Sequence, residues 1–252
     1  MNDDADSAAD APEIPLGGGR LTQGVVRIGN TVRRPARPSS DFVAALLRHL
    51  EGRAVSWAPR YLGRDEQGRD SFSFLPGSVP LRWGSFSDDQ VRAAGALLRA
   101  FHDATRDTVL SGAGKVVCHH DFGPNNAVFV DDLPVALIDF DFAAPGSPLE
   151  DVGYSAWAWC ISYKPTRPPV QTQAHQVRLI ADAYGLDTPA RALLVDAILE
   201  RLQRNERLWT SYLHDPQGIR TPPEKIPEFI DWSRREHAFV SAERSLFEAA
   251  LR

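Results

Sequence analysis

The run VALIDF, residues 135–140, limits the fold most: an apolar alternation suited to a core strand is broken by Asp139. A carboxylate embedded in such a run needs a metal or several hydrogen bonds, because an unpartnered charge is costly to bury. Just upstream stands VVCHHDFGPNNAVFV. Ala127–Val130 and residues 135–140 read as two strands joined by a turn at DDLP. A hairpin returns its second strand beside its first, so Asp139 comes back near Asn126, and Asp121 lies on the loop leading in. Oxygens from an aspartate and an asparagine in one place suit magnesium, a hard cation that keeps sites for water and phosphate. A further aspartate that need not bind metal can orient or deprotonate a hydroxyl nucleophile. The plain alternative for each residue taken singly is a turn or cap role.

The rest of the chain divides into a β-rich beginning and a helical remainder. Residues 1–14, MNDDADSAADAPEI, are acidic and aperiodic, and a disordered tail is expected. GVVRIGNTVRRPARP places strands at 25–28 and 31–34 around Gly29-Asn30. SSDFVAALLRHLEGR gives a helix capped by Ser39 or Ser40 and stopped at Gly52, and a second strand pair follows around a turn at 65–68. After Pro80, SDDQVRAAGALLRAFHDAT is a capped amphipathic helix over 87–105, with further helices expected near 150–162, 172–185, 189–213 and 227–250. This pattern predicts an α+β architecture: a small lobe over 15–77 and a larger helical lobe over 78–252, facing each other across the hairpin.

At 252 residues the chain buries a full core. With 43% hydrophobic and 24% charged residues and a formal net charge of -5, it reads as a soluble globular protein. No run is apolar enough to span a bilayer and no signal-peptide pattern is evident, so a cytoplasmic location without membrane partners is expected. Cys118 and Cys160 are too few for a disulfide framework and read as reduced core thiols. Nucleic acid is excluded as a partner, because there is no dense cationic stripe to neutralise phosphates.

HHDFGPNN followed by LIDFD resembles the paired signature of the aminoglycoside phosphotransferase and choline kinase-like family: His-x-Asp, four residues, Asn, then Ile-Asp-Phe or Ile-Asp-Trp. TVRRP resembles that family's third strand, FSFLPG its hinge, LLRAFHD the helix before the catalytic loop, and PLEDVGYSAW the helix start after the metal site. The resemblance covers roughly residues 20–160. It implies a two-lobed protein-kinase-like fold and transfer of a phosphoryl group from ATP, with magnesium, to a hydroxyl of a small molecule; GTP is not excluded. By the resemblance, Asp121 is the catalytic aspartate that accepts or orients the hydroxyl proton, and Asn126 and Asp139 hold magnesium on the nucleotide phosphates. His119 is implied as a structural member of the catalytic loop and Asp151 as its brace through backbone hydrogen bonds; His120 and Asp141 are read as local structure.

The pattern also departs from the family. Such a small lobe usually presents a lysine to the phosphates, but the only lysines are Lys115, Lys164 and Lys225. Arg33 stands in the lysine's place, and Arg34 beside it must face the other way. The usual helix glutamate falls near Asp41 or Val43. The glycines of PLGGGRLTQG serve either as a phosphate cover or as linker. Trp157, Trp159, Trp209, Tyr212 and Trp232 either line an acceptor pocket or pack the core. The leading expectation is a small-molecule kinase acting in antibiotic resistance, self-immunity or specialised metabolism. Its rival is a non-catalytic kinase-like protein that sequesters its ligand. A metal phosphohydrolase, prompted by FHD and HHD, is disfavoured because such pairs sit on helices.

Overall fold

The computed structural model describes residues 12–17, 23–80, 84–215 and 219–252. Five short strands form an antiparallel sheet in the order β1-β2-β3-β5-β4: β1 (Ile14–Pro15), β2 (Val26–Ile28), β3 (Thr31–Arg34), β4 (Tyr61–Arg64) and β5 (Asp70–Ser73). Of the tail expected over 1–14, residues 1–11 lie outside the described residues, while Ile14 pairs with Arg27 in β1. Half of PLGGGRLTQG, residues 18–22, also lies outside them. Gly29, at φ 55, turns the chain between β2 and β3, a backbone that glycine adopts at little cost.

Helix α1 (Ser40–Gly52) buries Val43, Leu46, Leu47 and Leu50 on one face, the spacing that drives it onto the sheet. Its start is tied down by Asp70 of β5. That carboxylate, fully buried, accepts from the Ser40 hydroxyl, from Tyr61 Oη at 3.3 Å and from Arg64 Nε at 3.2 Å.

Helix α2 (Asp88–Thr105) begins with a capping box: Gln90 N donates to Ser87 Oγ at 3.3 Å and Ser87 N to Gln90 Oε1 at 2.9 Å. The remaining helices are α3 (Pro148–Cys160), α4 (Val170–Tyr184), α5 (Thr188–His214), α6 (Ile226–Ala242) and α7 (Arg244–Leu251). The single helix expected over 227–250 is therefore broken at Glu243. Four of the five aromatics weighed for an acceptor pocket, Trp157, Trp159, Trp209 and Trp232, are buried. Trp157 stacks on Trp232 and Trp209 on Phe229. One continuous core runs from Leu46 and Phe72 beside the sheet to Leu98, Trp159 and Ile198 among the helices. None of the described helices is long and apolar enough to cross a membrane.

Between α2 and α3 lie four short strands in two ladders. β6 (Val116–Cys118) pairs with β9 (Ala144–Gly146), and β7 (Ala127–Val130) with β8 (Leu133–Leu137). The hairpin turn is the pair Asp131-Asp132, at φ 48 and 60, rather than the longer DDLP. Both aspartates take the left-handed backbone that a two-residue hairpin turn of this hand requires. The second strand accordingly starts at Leu133 and ends at Leu137, before Asp139. Ser78 and Phe129 exchange backbone hydrogen bonds of 3.0 and 2.7 Å, joining the segment after the sheet to the hairpin.

Candidate active site

The loop 119–126 leaves β6 and enters β7 through a short 3-10 turn at Pro124–Asn126. Its centre is Asp121. Asn126 Nδ2 donates to Asp121 Oδ2 and to the Asp121 carbonyl, both at 2.8 Å. Tyr154 of α3 donates its hydroxyl to Asp121 Oδ1, so each carboxylate oxygen has a donor. With its amide nitrogen committed to Asp121, Asn126 turns Oδ1 the other way, where Asn125 Nδ2 donates to it at 3.1 Å.

The loop is braced from below. Asp151, fully buried on α3, accepts from the backbone N–H of His119 at 2.5 Å and of His120 at 2.6 Å. His102 of α2 donates Nε2–H to the same carboxylate at 3.0 Å, and Tyr184 donates to His102 Nδ1 at 2.8 Å. Burial alone would push Asp151 up, but the His102 hydrogen bond and the surrounding imidazoles hold it down at about 2. His119 is equally buried. It donates Nε2–H to the Ile138 carbonyl at 3.0 Å and accepts the Asp121 amide on Nδ1 at 3.3 Å, which fixes the neutral tautomer. Desolvation lowers its pKa, against the pull of Asp151 and Asp121.

Asp139 follows β8, with Ile138 N donating to the Asn126 carbonyl at 3.0 Å, and this bond holds the two loops together. It sits at φ 64, and His120, next to Asp121, at φ 61. Left-handed backbone at non-glycine residues costs energy and collects at functional sites. The Asp139 side chain remains 44% exposed. Even so, partial burial and then the neighbouring Asp141 carboxylate push it up to about 7, with Arg34 opposing. Asp139, Asn126 Oδ1 and Asp141 offer only oxygens, the donor chemistry of a hard divalent cation.

The arginine facing this cluster is Arg34, not Arg33. Arg34 is 7% exposed, contacts Asp141 directly, lies 3.5 Å from Asp139 and covers the Phe72 ring at 4.9 Å. Arg33 turns to the opposite face and pairs with Asp65 at 3.4 Å. Alternation along β3 dictates that only one of the two can point inward, and a shift of one position reverses the choice. Asp41 does not reach either arginine: it is an exposed surface partner of Arg64 at 3.2 Å. Tyr154 and Arg201, whose contacts complete the site, carry no signal in the loop motifs; only their long-range contacts reveal them.

Residues 104–194 match the phosphotransferase enzyme family. The trifolitoxin immunity protein of Rhizobium leguminosarum bv. trifolii is 32% identical, over 93% of this chain and 97% of its own. The chain belongs to the aminoglycoside phosphotransferase and choline kinase-like family. A homoserine kinase of Xanthobacter autotrophicus is 26% identical, over 81% of this chain and 57% of its own. Among solved structures, a choline/ethanolamine kinase family protein from Mesorhizobium loti superposes with a TM-score of 0.64 at 16% identity, covering 98% of this chain and 94% of that one. An aminoglycoside phosphotransferase in a ternary complex with streptomycin and ATP gives 0.56 at 13% identity, over 81% and 88%. These likenesses establish the two-lobed protein-kinase-like fold, a small antiparallel sheet followed by a larger helical part.

Proposed function

We propose that the protein is an ATP- and magnesium-dependent kinase that phosphorylates a hydroxyl of a small molecule, with residues 15–77 holding nucleotide and 78–252 carrying catalysis and the acceptor. The observation that carries the proposal is the setting of Asp121: a carboxylate held by donors at both oxygens, beside the oxygen donors Asn126 and Asp139. Magnesium, held by Asn126 and Asp139, would neutralise charge on the nucleotide phosphates. Arg34 takes the place of the usual lysine on β3 and is positioned to meet the same phosphates as a planar clamp, the role expected of Arg33. Asp121 orients the acceptor hydroxyl. As the hydroxyl oxygen bonds to the γ-phosphorus, the bond from that phosphorus to the bridging oxygen breaks, ADP leaves, and Asp121 takes the proton. His119 and Asp151 keep the loop in shape without touching either substrate.

The immunity role for which the trifolitoxin relative is named fits such chemistry, since modifying a toxin's hydroxyl would confer self-immunity or resistance. A cytoplasmic location suits ATP use and the reduced, buried Cys118 and Cys160. A second reading, a kinase-like protein that sequesters its ligand without turnover, draws on Arg34 being held by Asp139 and Asp141. Calorimetric titration of ATP, with and without magnesium, into wild type and Asp139→Ala separates the two. Magnesium-dependent binding that the substitution abolishes supports the kinase. A folded wild type that binds neither ATP nor GTP supports sequestration.

A further inference from the structure

We propose that Tyr154 and Arg201 form a positioning pair that sets the orientation of the Asp121 carboxylate. The proposal rests on the kinase reading given above. Tyr154, 1% exposed on α3, donates its hydroxyl to Asp121 Oδ1. Arg201, 8% exposed on α5, lies over the Tyr154 ring at 4.6 Å, and its Nη2 donates to the His120 carbonyl at 2.9 Å. One guanidinium thus fixes both the ring that holds the Asp121 carboxylate and the peptide that immediately precedes it.

The helices are built for this contact. Gly153 lets α3 approach α5 so closely that an added Cβ would stand 2.9 Å from the Ala197 carbonyl carbon. Tyr154 is the next residue after Gly153, and Arg201 lies one helical turn beyond Ala197, so the close approach brings the pair together. A donor on Oδ1, together with Asn126 on Oδ2, stops the carboxylate from rotating, while each oxygen keeps a lone pair for a substrate hydroxyl.

The test uses the full chain and magnesium-ATP hydrolysis, with water as the acceptor, followed by phosphate release over a series of ATP concentrations. Tyr154→Phe keeps the ring and removes only the hydroxyl. The expected result is a fall in kcat of at least tenfold with a KM for ATP within twofold of wild type. Arg201→Lys, which keeps the charge and loses the planar stack, should show a smaller fall in the same direction. Wild-type kcat in both variants would overturn the proposal, as would a fall that merely tracks the folded fraction seen by thermal unfolding. A wild type that neither binds nor hydrolyses magnesium-ATP would bring down the kinase reading itself, and this proposal with it.

Discussion

Arg34 of β3 lies 3.5 Å from Asp139, 105 residues further along the chain, and links the small sheet to the loop that follows the hairpin. The same guanidinium contacts Asp141, so it separates two carboxylates that would otherwise repel. Removing it leaves Arg37, 3.6 Å from Asp141, to face two carboxylates, which is costlier than loss of an exposed pair.

Arg34→Ala is therefore expected to destabilise the fold by about 3 kcal/mol, the low end for a buried pair because Asp139 is partly open. Arg33→Ala should cost below about 1 kcal/mol, since Asp65 keeps Arg69 at 2.8 Å. Urea unfolding of both variants checks the order, and calorimetry with magnesium-ATP should show weakened binding only for Arg34→Ala. Equal effects of the two substitutions would remove Arg34 from its proposed place.

Asp151 accepts two loop amides and an imidazole, more bonds than an amide side chain can replace. Asp151→Asn turns one acceptor into a donor facing N–H groups and should cost about 3 kcal/mol. The sign with pH follows from its depressed value. Stability from Asp151 is complete above the unfolded value of 3.8 and is lost as pH falls through about 2. Acid unfolding of the wild type should accordingly be steeper below pH 3.8 than that of the asparagine variant.

How much was legible beforehand varied with the range of the contacts. Asp121, Asn126 and Asp139 could be brought together from sequence because a hairpin allows few registers, and their separations along the chain are short. The inward arginine could not be chosen, because Val32, Arg33 and Arg34 give no clean alternation and the exposures along β3 are nearly uniform until Arg34. Tyr154 lies inside PLEDVGYSAW and Arg201 in a long helical run, but neither stretch shows that the two meet the loop, which depends on how α3 packs against α5. The β6–β9 ladder, three residues a side with Pro145 inside it, carries too little pattern to be seen.

Glu236 offers a pH dependence of the opposite sign. It is 1% exposed and accepts from Ser162 Oγ at 3.0 Å, Trp232 Nε1 at 2.9 Å and the Tyr163 amide at 3.2 Å. Burial nevertheless pushes it up to about 7 from 4.5, against those donors and Arg167. The folded state then binds a proton that the unfolded chain releases, so this contribution is full below pH 4.5 and is lost as pH rises through about 7. Unfolding free energies of wild type and Glu236→Gln, compared at pH 5 and pH 8, should differ in slope, with wild type losing more on the way up. Parallel profiles would mean that the site does not titrate in this window.

Gly77 tests the passage from the sheet to the helical part. It sits at φ 143, and a Cβ added there would lie 2.5 Å from both the Phe129 carbonyl oxygen and Val128 Cγ1. The next residue, Ser78, exchanges backbone hydrogen bonds with Phe129, so the segment cannot back away without breaking them. Relief would have to come from the β7 backbone, whose other edge is paired with β8. Gly77→Ala thus combines a strained backbone with a backbone clash and should cost about 2–3 kcal/mol. Gly52→Ala, where an added Cβ meets nothing within 4 Å, is the control and should stay within about 0.5 kcal/mol of wild type. If the Gly77 variant denatures at the same urea concentration as the control, the Ser78–Phe129 bridge is not the rigid joint described.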